Sequence, residues 1–175
     1  MDPSRVITER LVLREPSAAD LGAVFDVHGD PATNRYNPAG AHRTMVQSRH
    51  TLDGWLVHWR DHRFGYWTLA LRSSPESVIG FGGVMCKDIG DRTRPNLYFR
   101  LRPSAWGRGY ATEMARAART LAFEDLGFEE IVARVRPHNG PSIRTLERLG
   151  MVHVEDVSDA HGVSRLYVLR RRPPA

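Results

Sequence analysis

Trp106-Gly107-Arg108-Gly109-Tyr110-Ala111-Thr112-Glu113 is the stretch that decides how this chain folds. It follows an apolar, strand-like run, Asn96-Leu97-Tyr98-Phe99-Arg100-Leu101, and leads into Tyr110, Met114, Ala117, Ala118 and Leu121 at helical spacing. A glycine turn between a strand and a helix is how main chain builds an anion cradle. Gly107 and Gly109 lack a Cβ, so they accept positive φ and let backbone come close to a ligand. The first amides of the helix have no intrahelical acceptor, and the helix dipole places positive potential where they point. Both features suit a pyrophosphate, and Arg108 adds a charge to the same place. Glycines here can also make nothing more than a tight turn, so the rest of the chain has to discriminate.

Spacing removes two nucleotide-binding folds. There is no G-x-x-x-x-G-K-[ST] run, and Lys87 is the only lysine, which excludes a P-loop. A dinucleotide G-x-G-x-x-G would need glycine where Thr112 stands, and near the start of a βαβ array rather than past the middle of the chain.

With 175 residues, 41% of them hydrophobic, the chain predicts one domain (1–175) with a full core, and no apolar run is long enough to span a membrane. The first fourteen residues alternate polar and apolar, unlike a secretory or transit signal, so the expected compartment is the cytoplasm. Cys86 is the sole cysteine, which rules out an intrachain disulfide and a cysteine-rich zinc site; within its apolar run it reads as a packing residue. The net charge of +5 favours anionic partners without choosing among a polyphosphate, nucleic acid and a ribosomal surface. The arginines are scattered, apart from Arg170-Arg171-Arg172, which reads as a solvated tail. His58 and His62 stand at i and i+4 but lack the glutamate of H-x-x-E-H and a third ligand, so no metal is expected. Trp55, Trp59, Tyr66 and Trp67 fall at core spacing, although they could also line an acceptor pocket.

Local patterns predict the order of elements. Residues 6–14 read as one strand whose alternation slips near Arg10. A helix over 17–29 starts at Ser17 with Asp20 three residues on, and a second covers 44–62 after a loop rich in Pro, Asn and Gly. Strands at 65–71 and 77–85 form a hairpin across a turn at 73–76, and Gly80, Gly82 and Gly83 predict a bulge or a close backbone approach. After a polar loop at 88–94 comes the strand at 96–101. The helix from Tyr110 ends at Gly127, a strand covers 131–135, and Asn139 caps a last helix that stops at Gly150. Two strands, 151–157 and 164–169, complete a mixed sheet flanked by helices.

Four segments in this order resemble a family. Thr8-Glu9-Arg10-Leu11-Val12-Leu13-Arg14, Val78-Ile79-Gly80, the glycine turn, and Asn139-Gly140-Pro141-Ser142-Ile143-Arg144-Thr145-Leu146-Glu147-Arg148-Leu149-Gly150-Met151 are together similar to the GNAT superfamily of acyl-CoA-dependent N-acetyltransferases, in its RimJ/RimL-type branch. The resemblance covers nearly the whole chain. It implies a mixed α/β fold whose mostly antiparallel sheet of six to seven strands is flanked by about four helices and splays between residues 96–102 and 131–136. Acetyl-CoA would lie in that gap. Its pyrophosphate would sit on the main chain around Trp106, Gly107, Arg108, Gly109, Tyr110, Ala111 and Thr112. Its pantetheine arm would pair with the strand at Phe99, Leu101 and Arg102, where a free amide would also polarise the thioester carbonyl. Asn139 and Ser142 would face the thiol end. The acceptor would be a primary amine, on a protein N-terminus or a small molecule, and a homodimer is compatible with the family.

The chemistry needs a neutral amine, a stabilised oxyanion and a leaving thiolate. A lysine-like amine is about three units from neutral at pH 7.4, a cost of about 4 kcal/mol, whereas an α-amine is already roughly a quarter neutral. Where many family members carry a glutamate, this chain has Asn96, which takes no proton; His138 is the candidate base by its pKa. Glu113 reads as charge and capping for its helix. Where many carry a tyrosine as acid, Leu146 stands, leaving Ser142 to hydrogen-bond the sulfur. Trp106 offers packing in place of a polar phosphate contact. Two other readings stay open on these residues: a CoA-binding module that has lost catalysis, and, less favoured, a basic protein that binds RNA or ribosomes.

Overall fold

The structure, a computed structural model, describes residues 1–171, the side chain of Asp159 excepted, so Arg172 of the basic tail lies outside the described residues. Eight strands form one sheet: β1 (Arg5–Ile7), β2 (Leu11–Arg14), β3 (Tyr66–Leu71), β4 (Ser74–Ile89), β5 (Arg92–Leu101), β6 (Glu130–Val135), β7 (Val152–Asp159) and β8 (Gly162–Arg170). Their order is β1-β2-β3-β4-β5-β6-β8-β7, and every neighbouring pair is antiparallel except β5–β6. Four helices complete the fold: α1 (Leu21–Gly29), α2 (Met45–His62), α3 (Tyr110–Thr120) and α4 (Gly140–Leu149). No helix among the described residues is long and apolar enough to cross a membrane.

The sheet has one strand more than the upper expectation because the alternation slip near Arg10 is a turn. Residues 8–10 reverse the chain, and Val6 pairs with Leu13 across the resulting hairpin. The polar segment 88–94, expected as a loop, is instead the end of a long ribbon in which Asp88 pairs with Thr93 and only Gly90 and Asp91 turn. Apart from Ile89, which packs against Val132, Leu166 and Val168, this end of the ribbon is polar and largely exposed, so its alternation carries little signal. The expected turn at 73–76 likewise shrinks to Arg72 and Ser73.

Helix boundaries follow their caps. Thr44 accepts from the amide of Gln47, whose side chain reaches back to the Thr44 amide, a reciprocal box that starts α2. Ser17 and Asp20 cap a single 3-10 turn ahead of α1, which therefore begins at Leu21 rather than at 17. α3 continues into a π-helical turn, Leu121–Asp125, with Leu126 N–H donating to the Leu121 carbonyl, and Gly127 turns the chain at φ 68°.

α3 and α4 cover one face of the sheet, while α1 and α2 cover the other. Met114, Ala115, Ala118, Leu121, Leu146 and Leu149 pack with Leu13, Leu69, Val84, Leu97 and Leu101 on the first face. Val24, Val27, Leu52 and Trp55 pack with Tyr66, Phe81 and Met85 on the second. Trp55, Trp59, Tyr66 and Trp67 are all buried, so these aromatics are core. The predicted bulge is present: Leu69 pairs with Gly80 but Ala70 with Val78, which leaves Ile79 extra in β4.

Gly82 is the position where α3 approaches most closely, since a Cβ there would meet Met114 Cε at 2.7 Å and the Tyr98 carbonyl oxygen at 2.8 Å. Gly54, exposed inside α2, has nothing within 4 Å of such a Cβ. Gly82→Ala should therefore destabilise the fold by about 1–3 kcal/mol, whereas Gly54→Ala should stabilise it by about 0.5–1 kcal/mol. Urea denaturation of the two variants checks the opposite signs.

Candidate active site

β5 and β6 run parallel, yet the only pairing between them is Asn96 with Val132. Beyond that bridge the strands separate, and their carboxyl ends deliver the chain to α3 on one side and α4 on the other. Two unpaired strand edges then face each other across a wedge. The Arg102 amide donates to the Ile79 carbonyl at 2.8 Å, so Arg102 and the residues of its parity turn their main chain toward β4. Alternation sends the N–H of Phe99 and of Leu101 the other way, into the wedge. Phe99 and Leu101 thus stand where expected, while Arg102 does not. Its amide is used by β4, and its guanidinium bonds the Val78 carbonyl and Asp26.

The glycine turn lies at the head of this wedge. Gly107 and Gly109 have φ of 71° and 79°, the left-handed conformation for which glycine is suited. Among the described residues, no hydrogen-bond acceptor pairs with the amides of residues 107–112, and the first intrahelical donor is Glu113, to the Gly109 carbonyl at 3.0 Å. These six amides and the amino end of α3 form the cradle. Trp106 is a correction. Its amide is spent on the Pro103 carbonyl, and its indole N–H donates to the Leu101 carbonyl at 2.8 Å, so it closes the end of β5 instead of binding phosphate. Tyr110 and Thr112 contribute main chain only, since both side chains are buried, and Ala111 lies between them.

Glu113 holds the cradle in place. Its carboxylate accepts from Thr8 Oγ1 at 2.6 Å, from the Arg10 amide at 2.8 Å and from Arg10 Nε at 2.7 Å. Arg10 also donates to the Arg108 carbonyl at 2.8 Å and lays its guanidinium over the Tyr110 ring. Burial alone would push the Glu113 carboxyl up, but the hydrogen bonds from Thr8 and Arg10 outweigh it and hold the group below the usual range. The Thr8-Glu9-Arg10 turn is therefore a buckle between β2 and the first turn of α3, a broader role than capping.

On the α4 side, Asn139 Oδ1 accepts from the Ser142 amide at 3.3 Å, so this asparagine caps the helix and does not present its carbonyl oxygen to the wedge. Ser142 Oγ has no hydrogen-bond partner among the described residues, which leaves its hydroxyl free to donate. His138 is exposed, and its ring packs against Tyr36 at 5.5 Å between centroids, so the segment 30–43 and the β6–α4 turn meet there. Leu146 is buried in the core.

The face of β5 that looks toward α1 carries a polar cluster that sequence reasoning missed. His28 is buried on α1, with Nδ1 against the Val24 carbonyl at 3.1 Å, so that Nε2 accepts from the Tyr98 hydroxyl at 2.8 Å. Burial, followed by the nearby Arg100 and His42, lowers the His28 pKa to about 3. Burial and Arg100 lower that of His42 as well, which stacks on His28 at 5.0 Å. Asn96 donates to the Tyr66 hydroxyl at 2.8 Å. Burial raises the pKa of both Tyr66 and Tyr98, so each phenol keeps its proton at neutral pH. The segment 30–43 is ordered by asparagines: Asn34 donates to the His28 carbonyl at 2.7 Å, and its own Oδ1 accepts from Asn37 and from Arg100. The available signal was an arginine within an apolar strand and a histidine on the apolar face of a helix.

Elsewhere, His58 uses both ring nitrogens, on the Phe64 carbonyl and the Cys86 amide, which ties α2 to the sheet. No cluster of three metal-ligating side chains occurs among the described residues. Burial raises the Cys86 thiol pKa, away from reactivity. An open depression of about 730 Å³ bounded by Arg119, Leu149 and Arg170 lies at the opposite end of the sheet from the wedge.

Because folded His28 titrates near 3 and an unfolded histidine near 6.5, the unfolded chain binds a proton that the folded chain refuses between those values. Stability should therefore fall as pH drops below 6.5, by up to about 1.4 kcal/mol per unit from this residue. Urea midpoints at pH 7 and pH 5 measure the loss, which His28→Gln should reduce.

Residues 10–152 match the family described as the acetyltransferase (GNAT) domain. The chain is similar to the uncharacterized N-acetyltransferase YnaD of Bacillus subtilis, 26% identical over 146 residues that cover 83% of this chain and 81% of that one. Its fold is similar to that of an acetyltransferase from Agrobacterium tumefaciens, with a TM-score of 0.81, 27% identity and coverage of 95% and 94%. A spermidine N-acetyltransferase from Vibrio cholerae, solved with CoA and spermine, shares the fold with a TM-score of 0.73 at 16% identity over 91% of this chain and 95% of that one. With its family matched across most of its length and a free-amide cradle beside splayed strands, this chain belongs to the GNAT acetyltransferases, enzymes that take their acetyl group from acetyl-CoA.

Proposed function

We propose that the protein transfers the acetyl group of acetyl-CoA to a primary amine, a protein N-terminus or a small molecule, by direct attack within a ternary complex, in the manner of the RimJ/RimL-type branch. The observation that carries this reading is the convergence of the six unpaired amides of residues 107–112 with the wedge-facing N–H groups of Phe99 and Leu101. Gly107 would meet nothing within 4 Å if given a Cβ, and Gly109 only the tip of Arg10 at 3.4 Å, so both open toward the space a pyrophosphate would fill.

In this reading the amine nitrogen attacks the thioester carbonyl carbon. The oxygen gains negative charge against the amide of Phe99 or Leu101, an oxyanion donor already in position. The C–S bond then breaks, the nitrogen gives up its extra proton to water or to the departing thiolate, and Ser142 donates a hydrogen bond to that thiolate. No carboxylate serves as base, because Asn96 stands on β5 bonded to Tyr66 and the neighbouring imidazole of His28 has too low a pKa. In this reading the exposed His138, packed on Tyr36, is not the base either, and the acceptor arrives neutral or loses its proton to water.

Two measurements test this. Calorimetric titration with acetyl-CoA should give micromolar binding in the wild type and none in Gly109→Asp, which sets a carboxylate in the cradle, with circular dichroism unchanged. RNA affinity in the absence of acetyl-CoA binding would instead favour a nucleic-acid role. In steady-state assays, log kcat/KM should rise with slope one as pH increases and level off at the acceptor amine's own pKa. A plateau set by an enzyme group near neutrality, and lost in His138→Ala, would contradict a mechanism without a protein base.

A further inference from the structure

Arg100 is a partly buried guanidinium with no acid to neutralise it. It stands on β5 between Phe99 and Leu101, and its side chain points to the α1 face, where Nη1 donates to Asn34 Oδ1 at 2.8 Å. That neutral amide is its one hydrogen-bond partner among the described residues, and no carboxylate lies within ion-pair distance. Several other arginines of the fold have an acid: Arg10 pairs with Glu113, Arg14 with Asp20, Arg94 with Glu130 and Arg102 with Asp26. A structural arginine at this position would need only such a partner. Asn34, itself buried and fixed by the His28 and Asp30 carbonyls, instead holds one end of the guanidinium and leaves its Nε–Nη2 edge open. That edge is the planar fork that matches a carboxylate with two parallel hydrogen bonds.

The surrounding wall is uncharged or basic, since burial and the nearby Arg100 lower the pKa of both His28 and His42. His28 and His42 stack beside Arg100, Tyr98 lies under it, and the 30–43 segment adds Arg35 and Tyr36. The acids flanking His28 are engaged elsewhere, Asp26 with Arg102 and Asp30 with the Ala32 amide. A polycationic acceptor would find no counter-charge here, and the bare guanidinium would repel it.

We infer that the acceptor is an amine that carries its own carboxylate, an amino acid or a close analogue, and that Arg100 binds this carboxylate and so directs the amine to the thioester beside Phe99 and Leu101. The inference rests on the acetyltransferase reading of the wedge. No redox or covalent chemistry is added to the transfer already described. Arg100 acts as a binding group, so its effect belongs mainly to KM.

The test uses matched triplets of acceptors, each an L-amino acid, its α-amide and its decarboxylated amine, compared by kcat/KM per neutral amine. Assays are run on wild type, Arg100→Gln and Arg100→Lys, with acetyl-CoA binding by calorimetry as the control for folding. The expected result is a preference of about tenfold or more for the carboxylate member in wild type, carried by KM. That preference should vanish in Arg100→Gln and return in part in Arg100→Lys, with acetyl-CoA affinity unchanged throughout. Equal or better turnover of the amide or the decarboxylated amine by wild type would overturn the inference while leaving the transferase reading intact, as would a preference that survives Arg100→Gln. Acetyl-CoA binding without turnover of any triplet member would overturn the inference together with the acceptor role of this cleft.

Discussion

The structure depends on a constraint between two parallel strands that pair once and then part. Asn96 and Val132 hold β5 and β6 together at one point, and everything chemical follows from the wedge beyond it. Backbone donors left unpaired inside a fold cost free energy unless water or a ligand reaches them. Here the edge amides of Phe99 and Leu101 and the six amides of residues 107–112 border the same opening. A ligand that is a chain of amides ending in a pyrophosphate would satisfy both sets, and the family's acetyl-CoA has that form.

Keeping such a wedge open demands support from outside it. The Thr8–Arg10 turn grips Glu113 and the Arg108 carbonyl, so the cradle is fastened to a strand three positions away from β5 in the sheet. Trp106 spends its indole N–H on the end of β5, and Asn139 its carbonyl oxygen on the start of α4. On the other face, Asn34 and Asn37 stiffen a segment that composition alone would call loose. These are positioning groups, and in the proposed transfer they would leave the chemistry to main chain and one hydroxyl.

Much of this was legible in the order of residues. The glycine turn, the start of the second helix near residue 44, the cap at Asn139, the stop at Gly150 and the bulge near Gly80 are local features, and local features can be read from sequence. What could not be read needed a partner. Whether Arg102 or Leu101 faces the wedge depends on which way β4 pairs, and Arg102 was misassigned for that reason. The Thr8–Arg10 turn looked like a flaw in a strand until Glu113 was seen to fill it. Trp106 has the right residue type for a site but is consumed by shaping it, and Asn139 spends its carbonyl oxygen on the helix cap. Arg100 and His28 were passed over because an arginine in a strand and a histidine in an apolar stripe ordinarily settle against neighbours, and it is the place of Arg100 on β5, with the neutral Asn34 amide as its partner, that marks it.

The central claim is that residues 107–112 and the free edge of β5 receive acetyl-CoA through main-chain amides. Amide hydrogen exchange, resolved by residue with NMR, tests it directly in the presence and absence of saturating acetyl-CoA. Exchange should slow for residues 107–112 and for Phe99 and Leu101, while Arg102 and Trp106, already paired with Ile79 and Pro103, should change little. Protection that appears instead along β7 or in the depression near Arg119 and Arg170, with residues 107–112 unaltered, would contradict the account.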